Sequence, residues 1–170
     1  LTPTDYTDSD AEIEKFAKPI GKVLAAEGAL AAGHALMAAV AEAVEYKSGQ
    51  TNVTTTAAEA LAAGKGVCQD QTHLFIAAAR HLELPARYVS GYLADSTGND
   101  SHLASHAWAE MLVDGLGWVS FDPANDQCAT DAYIRLALGL DYGTASPIRG
   151  LRSGGGVEEM DVSVRIEEQQ

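Results

Sequence analysis

The 170-residue sequence predicts one α+β domain spanning residues 1–170. Three observations lead there. Apolar side chains recur at helical spacing up to about Leu82, the period changes to two beyond Pro85, and the length suits one hydrophobic core. Ser9-Asp10-Ala11-Glu12 reads as a capping box ahead of Ile13, Phe16, Ala17 and Ile20, and Pro19 is expected to help end this short first helix. From about Ala25 to Tyr46 an Ala-rich stretch with Leu30, Met37, Val40 and Val44 predicts a longer, small-residue helix that stops at Ser48-Gly49. Thr56-Ala57-Ala58-Glu59 is a second capping box, opening a short helix that Gly64 ends. Gly64-Lys65-Gly66 then reads as a flexible turn into a helix from Cys68 to about Leu82, closed before Pro85.

Beyond Pro85, Arg87 to Leu93, His106 to Val113, Trp118 to Phe121 and Met160 to Ile166 read as strands. The last alternates Met160, Val162, Val164 and Ile166 with polar neighbours and is fed by the turn Gly154-Gly155-Gly156, while the polar stretch Asp95 to Ser101 reads as a surface loop. Helices first and strands later predict an α+β domain.

The 24 acidic and 11 basic side chains give a formal charge of −13. Such a chain repels phosphate backbones and anionic lipid, so neither nucleic acid nor membrane is an expected partner, whereas a cationic or amine-bearing substrate is compatible. Two cysteines, Cys68 and Cys128, are too few for a disulfide framework. Free thiols in a reducing, cytoplasmic compartment are the simpler expectation, with one disulfide between them as the alternative. No apolar run reaches membrane-span length, and Leu1-Thr2-Pro3-Thr4-Asp5 lacks the basic and apolar regions of a signal peptide. A start at Leu1 is what a fragment of a longer polypeptide would show. Oligomeric state is not encoded in any pattern.

The chemistry concentrates on three residues. Cys68 is expected at a helix N-terminus, where free backbone N–H groups and the positive end of the dipole favour a thiolate. Phe75 and Leu82 recur at seven-residue intervals on its stripe, so the thiol should point toward the sheet. Asp70 and His73 lie roughly 200° and 140° around the helix, which rules them out as its base. Gly66 fits a backbone that must approach a reacting carbonyl. A lone cysteine is more often a small buried hydrophobe, so the case needs a second element.

That element is the strand beginning at His106. His106, Trp108, Glu110 and Leu112 share one face, while Ala107, Ala109, Met111 and Val113 share the other. Trp118, Ser120 and Asp122 alternate with Val119 and Phe121. Matching the apolar sets demands an odd hairpin loop, Asp114-Gly115-Leu116, with Val113 opposite Gly117, Met111 opposite Val119, Ala109 opposite Phe121 and Trp108 opposite Asp122. Asp122 is then a diagonal neighbour of His106, about 7–8 Å away between backbones and within side-chain reach. A carboxylate on one ring nitrogen fixes the tautomer and leaves the other nitrogen to deprotonate a thiol. His34 and His81 read as structural, His102 as a spare site candidate, and Cys128 as an incidental thiol. No local pair of metal-ligand spacing occurs, so neither metal nor cofactor is expected.

Together Gly66-Val67-Cys68-Gln69-Asp70, Leu84-Pro85-Ala86-Arg87-Tyr88-Val89-Ser90-Gly91-Tyr92, Ser105-His106-Ala107-Trp108-Ala109-Glu110 and Gly117-Trp118-Val119-Ser120-Phe121-Asp122-Pro123 resemble the transglutaminase-like superfamily. Asp141-Tyr142-Gly143 and Pro147-Ile148-Arg149-Gly150 resemble the tail of its bacterial branch, although Ala124 stands where that branch often has Thr. The resemblance implies a papain-like core with the cysteine helix packed on an antiparallel sheet, and Cys68, His106 and Asp122 as catalytic residues. It implies acyl transfer at amide bonds of a peptide or protein through a thioester. Hydrolysis of peptide or isopeptide bonds is the expected reaction, with a protein-glutamine amine transglutaminase, a non-catalytic peptide-binding module or a scaffold domain as alternatives. The backbone N–H of Cys68 and an upstream side chain such as Tyr46 or Gln50 are candidates to meet the oxyanion.

Overall fold

A computed structural model describes residues 2–94 and 104–146. The loop expected at Asp95 to Ser101, the spare candidate His102, the strand expected from Met160 to Ile166 with its Gly154-Gly155-Gly156 turn, and the segment Pro147-Ile148-Arg149-Gly150 lie outside the described residues. The element order is α1 (Ala11–Glu27), α2 (Ala29–Ala43), β1 (Glu45–Tyr46), α3 (Ala57–Ala63), β2 (Lys65–Gly66), α4 (Cys68–His81), β3 (Ala86–Leu93), β4 (Ala104–Val113), β5 (Gly117–Phe121), β6 (Tyr133–Gly139) and α5 (Tyr142–Ala145). This is the expected α+β arrangement of helices on an antiparallel sheet.

The first helix is longer than its sequence suggests. Asp10, not Ser9, caps it, its Oδ1 accepting from the N–H groups of Glu12 and Ile13 at 3.1 and 2.9 Å. Pro19 lies inside the helix rather than at its end. An interior proline costs about 3 kcal/mol, and the buried stripe of Ile13, Ala17 and Ile20 offsets it by holding both halves of the helix against the core. The break falls instead at Gly28, whose φ of 88° a side chain would resist. In α2 the buried face is Ala32, Gly33, Leu36, Met37 and Val40, and Leu30 faces solvent instead. The Thr56 capping box and the left-handed Gly64 bound α3 as expected.

Lys65-Gly66 is not a free turn. It pairs in parallel with β1, Glu45 opposite Lys65 and Tyr46 opposite Gly66, so the residues entering the Cys68 helix are held by main-chain hydrogen bonds. Helix α4 is buried over most of its length and forms the centre of the core with Leu74, Phe75 and Ile76. Arg80, near its end, donates to the carbonyls of Ala86 and Leu140 and to the Thr7 hydroxyl, joining the N-terminal segment, β3 and the chain beyond β6. His73 sits between the rings of Tyr6 and Tyr88 and accepts from the Tyr142 N–H at 3.1 Å.

The main sheet has the order β5-β4-β3-β6. The β4–β5 hairpin has the odd loop and the expected register, from Val113 opposite Gly117 to Ala109 opposite Phe121, with Gly115 at a φ of 80°. The ladder ends there, one pair short of the expected Trp108–Asp122 partnership, because Asp122 bridges to Gln127 in the following turn. Strand β6 has no counterpart in the sequence reading. It exposes Leu136 and Leu138, so its pattern does not advertise a buried face.

Each face of the sheet has its own role. Ala107, Ala109, Met111, Tyr88 and Phe121 face the helices and belong to the core, whereas the alternate set containing His106, Trp108 and Glu110 faces away. Gly33 is where α2 meets the sheet: a Cβ there would sit 2.4 Å from Phe121 Cζ and 2.9 Å from Met111 Cε. Gly33→Ala should therefore destabilise the domain by about 1–3 kcal/mol from overpacking, reversing the gain of about 0.5–1 kcal/mol that alanine brings to an ordinary helix interior. Urea unfolding at constant m-value measures the sign.

Candidate active site

Cys68 is the first residue of α4, and the residues around it explain its placement. Asp70 reaches back so that its Oδ2 accepts from the Val67 N–H at 2.7 Å and from the Thr51 hydroxyl at 2.6 Å. Its carboxylate fills the space that a Cβ on Gly66 would need, 2.8 Å from that position. The cap of the cysteine helix thus leaves no room for a side chain at residue 66. Asp70 is occupied in this way and His73 is enclosed in the core, where burial lowers its pKa to about 4. Neither serves the thiol, as their angular positions on the helix imply.

The partner of Cys68 is His106. His106 alternates with the core-facing Ala107 and Ala109 near the start of β4, and its side chain is 9% exposed. His106 Nε2 is 2.6 Å from Asp122 Oδ2, and Cys68 lies near enough to the ring to help raise its pKa. With Nε2 engaged by the carboxylate, Nδ1 is the nitrogen left for the thiol. The structure therefore brings Cys68, His106 and Asp122 together, with His106 hydrogen-bonded to Asp122 and close to Cys68.

Asp122 is fully buried and receives more than the histidine. The Tyr133 hydroxyl and the Asn125 side-chain amide donate to its Oδ2 at 2.6 and 2.7 Å, and the Ala124 N–H donates to Oδ1 at 3.0 Å. Gln127 in turn donates to the Tyr133 hydroxyl at 2.9 Å. Burial opposes ionisation of Asp122, but the bonds from His106, Tyr133 and Asn125 prevail and hold its pKa below the ordinary value. The Tyr133 phenol is pushed up to about 12 by burial and by its bond to the carboxylate. Burial likewise opposes the charged form of His106, yet the bond to Asp122 and the nearness of Cys68 outweigh it and raise the imidazole to about 9.

Asn125 and Tyr133 are absent from the sequence reading. Asn125 had a local signal in the turn-forming run Asp122-Pro123-Ala124-Asn125, which folds back on Asp122 through its main chain. Tyr133 had none, since only the pairing of β6 with β3 brings it to the site. There its ring packs edge-on against His106 and Trp108. Of the remaining histidines and cysteines, His34 packs edge-on against Phe121, and the Cys128 thiol is pushed up by burial.

A cysteine opening a helix that packs on an antiparallel sheet, beside a strand histidine bonded to an aspartate, defines the papain-like class of architecture. Residues 15–123 match the family described as the transglutaminase-like superfamily, and the chain belongs to it. It is 34% identical over 170 residues to the uncharacterized protein ML0607 of Mycobacterium leprae, covering 98% of this chain and 59% of that one. It is 41% identical over 115 residues to the uncharacterized protein Rv2569c of Mycobacterium tuberculosis, covering 62% of this chain and 37% of that one. Among solved structures it resembles a Cytophaga hutchinsonii protein named as a putative cysteine protease, with a TM-score of 0.68 and 30% identity over 85% of this chain and 47% of that one. The chain thus spans roughly four- to six-tenths of the length of these relatives.

The His106 shift has a measurable consequence. Because the folded state binds this proton more tightly than an unfolded chain with an ordinary value of 6.5, its contribution to stability is full below about pH 6.5 and disappears as pH rises through about 9. In Asp122→Asn the main cause of the rise is gone while burial remains, so NMR titration should find the His106 midpoint well below that of the parent protein.

Proposed function

We propose that this domain catalyses cysteine-dependent acyl transfer at amide bonds, with hydrolysis of peptide or isopeptide bonds as its reaction. The observation that carries the reading is the juxtaposition of Cys68, at the start of its helix, with His106, which is hydrogen-bonded to the buried Asp122. In that arrangement the Cys68 thiol first passes its proton to His106 Nδ1, the thiolate attacks the carbonyl carbon, the imidazolium gives that proton to the leaving amine, and Asp122 holds the Nε2 proton throughout. Acyl–sulfur bond formation and C–N bond cleavage leave a thioester, which water attacks in the second half.

The oxyanion of each tetrahedral intermediate needs donors already in place. The Cys68 backbone N–H at the start of α4 is one. Tyr46 supports the role of the second better than Gln50 does, because β1 pairs it opposite Gly66, and its phenol feels the charges of both Cys68 and Asp122. Burial first and then the Cys68 charge raise its pKa, so it remains a proton donor at neutral pH. Gln50 lines a separate pocket with Thr54 and Glu59. Tyr46 is also 54% exposed, which leaves water a path to the thioester and favours hydrolysis over transfer to an amine. A peptide or protein amide is the substrate in this reading. Among the described residues no helix is long and apolar enough to cross a membrane.

Incubation with an amide-linked peptide library, with and without a primary amine, followed by mass spectrometry tests the reading. New free acids mark hydrolysis, amine adducts mark transfer, and Cys68→Ala should lower either by at least about 10³-fold. The alkaline limb of kcat/KM should fall with an apparent midpoint near the His106 value of about 9. If Cys68 alkylates with iodoacetamide no faster than an ordinary thiol and no product forms, the domain is a binding module.

A further inference from the structure

A groove of about 440 Å³ runs over the solvent face of the sheet beside the histidine–aspartate pair. Trp108 and Tyr133 line it, and both also pack against His106, so it is continuous with the candidate active site. Its far end is built from charge. Glu110, 1% exposed, takes Arg87 on Oε2, with both contacts at 2.7 Å, and Arg135 on Oε1. Arg87 also lies over the ring of Trp118, 4.0 Å from its centroid. One carboxylate shared by two guanidiniums leaves a net positive charge, and the Arg135 side chain is 52% exposed. In a chain of formal charge −13 this cluster carries a local excess of positive charge.

Sheet register fixes its distance from the chemistry. His106 and Arg135 both pair with Gly91, on opposite sides of β3, so their backbones stand about 10 Å apart across two strand spacings. Gly91 leaves room between them for the Trp108 ring, whose Cη2 lies 2.8 Å from where a Cβ would be. The Trp108 indole N–H is buried and finds no acceptor among the described residues.

Resting on the acyl-transfer reading, we infer that this groove is a substrate subsite for a carboxylate, and that the enzyme prefers an acidic residue about four positions from the reacting amide. The Arg135 guanidinium lies on Glu110, four residues along β4 from His106, a distance that four extended residues at roughly 3.3 Å each would cover. The aromatic walls hold the intervening peptide, and Arg135, the more exposed guanidinium, forks the carboxylate.

Both tryptophans of the chain line this groove, so intrinsic fluorescence reports its occupation. Three pools of blocked hexapeptides, each with a single Glu, Gln or Lys among neutral residues, are titrated into Cys68→Ala and, in parallel, offered to the active protein. The Glu pool should half-saturate the Cys68→Ala fluorescence change at a concentration at least about tenfold below that of the Lys pool, a gap that narrows in high salt. Arg135→Gln, added to this background, should erase the discrimination, and Arg135→Lys should retain part of it; thermal unfolding checks that each variant is folded. Equal responses to the pools, no response at millimolar peptide, or discrimination that survives in folded Arg135→Gln would overturn the subsite. Discrimination in binding without turnover by the active protein would leave the subsite standing and remove the acyl-transfer reading. Turnover with no preference among the pools would do the reverse.

Discussion

A carboxylate with no exposure to solvent can stay ionised only if the protein replaces the water it has lost, and Asp122 makes that demand on the whole site. The replacements come from His106 on β4, Tyr133 on β6, and Asn125 and Ala124 in the turn that follows β5. Meeting them requires the hairpin register, the return of the chain along β3 and the tight turn after Pro123 to be correct at once. A buried charge of this kind therefore ties the position of the histidine to the completeness of the sheet. It also explains why the imidazole is held so far toward its protonated form.

The two faces of the sheet divide the work. On the inner face Phe121, Met111 and Tyr88 pack against α2 and α4, and the missing side chain of Gly33 lets the layers close. On the outer face a row of aromatic and charged residues runs from His106 to the Glu110 cluster. Cys68 joins the two, because it begins the mostly buried α4 yet lies near His106. The β1–β2 pair and the Asp70 cap hold the backbone that leads into the half-buried thiol.

Membership of the transglutaminase-like superfamily describes the core that these constraints build. The relatives it matches are longer, and two of them are mycobacterial proteins without an assigned activity. The resemblance to the Cytophaga hutchinsonii structure extends over most of this chain but about half of the other. On the outer face of this chain Trp118, Arg87, Glu110 and Arg135 form the cluster on which the proposed substrate subsite rests.

Much of this was legible in the residues alone. The α+β class, the cysteine at a helix start, the odd hairpin loop and the shared face of His106 and Asp122 follow from periodicity and parity, which are local properties of a chain with fixed backbone geometry. Family likeness supplied the step from helix to sheet that spacing could not. Tertiary structure decided what depends on neighbours distant in sequence: the survival of Pro19 inside a helix whose buried stripe outweighs it, the pairing of Lys65-Gly66, and the existence of β6. It also decided the donors that surround Asp122, because Tyr133 reaches the carboxylate only across paired strands, and pairing energy is not written in any one segment.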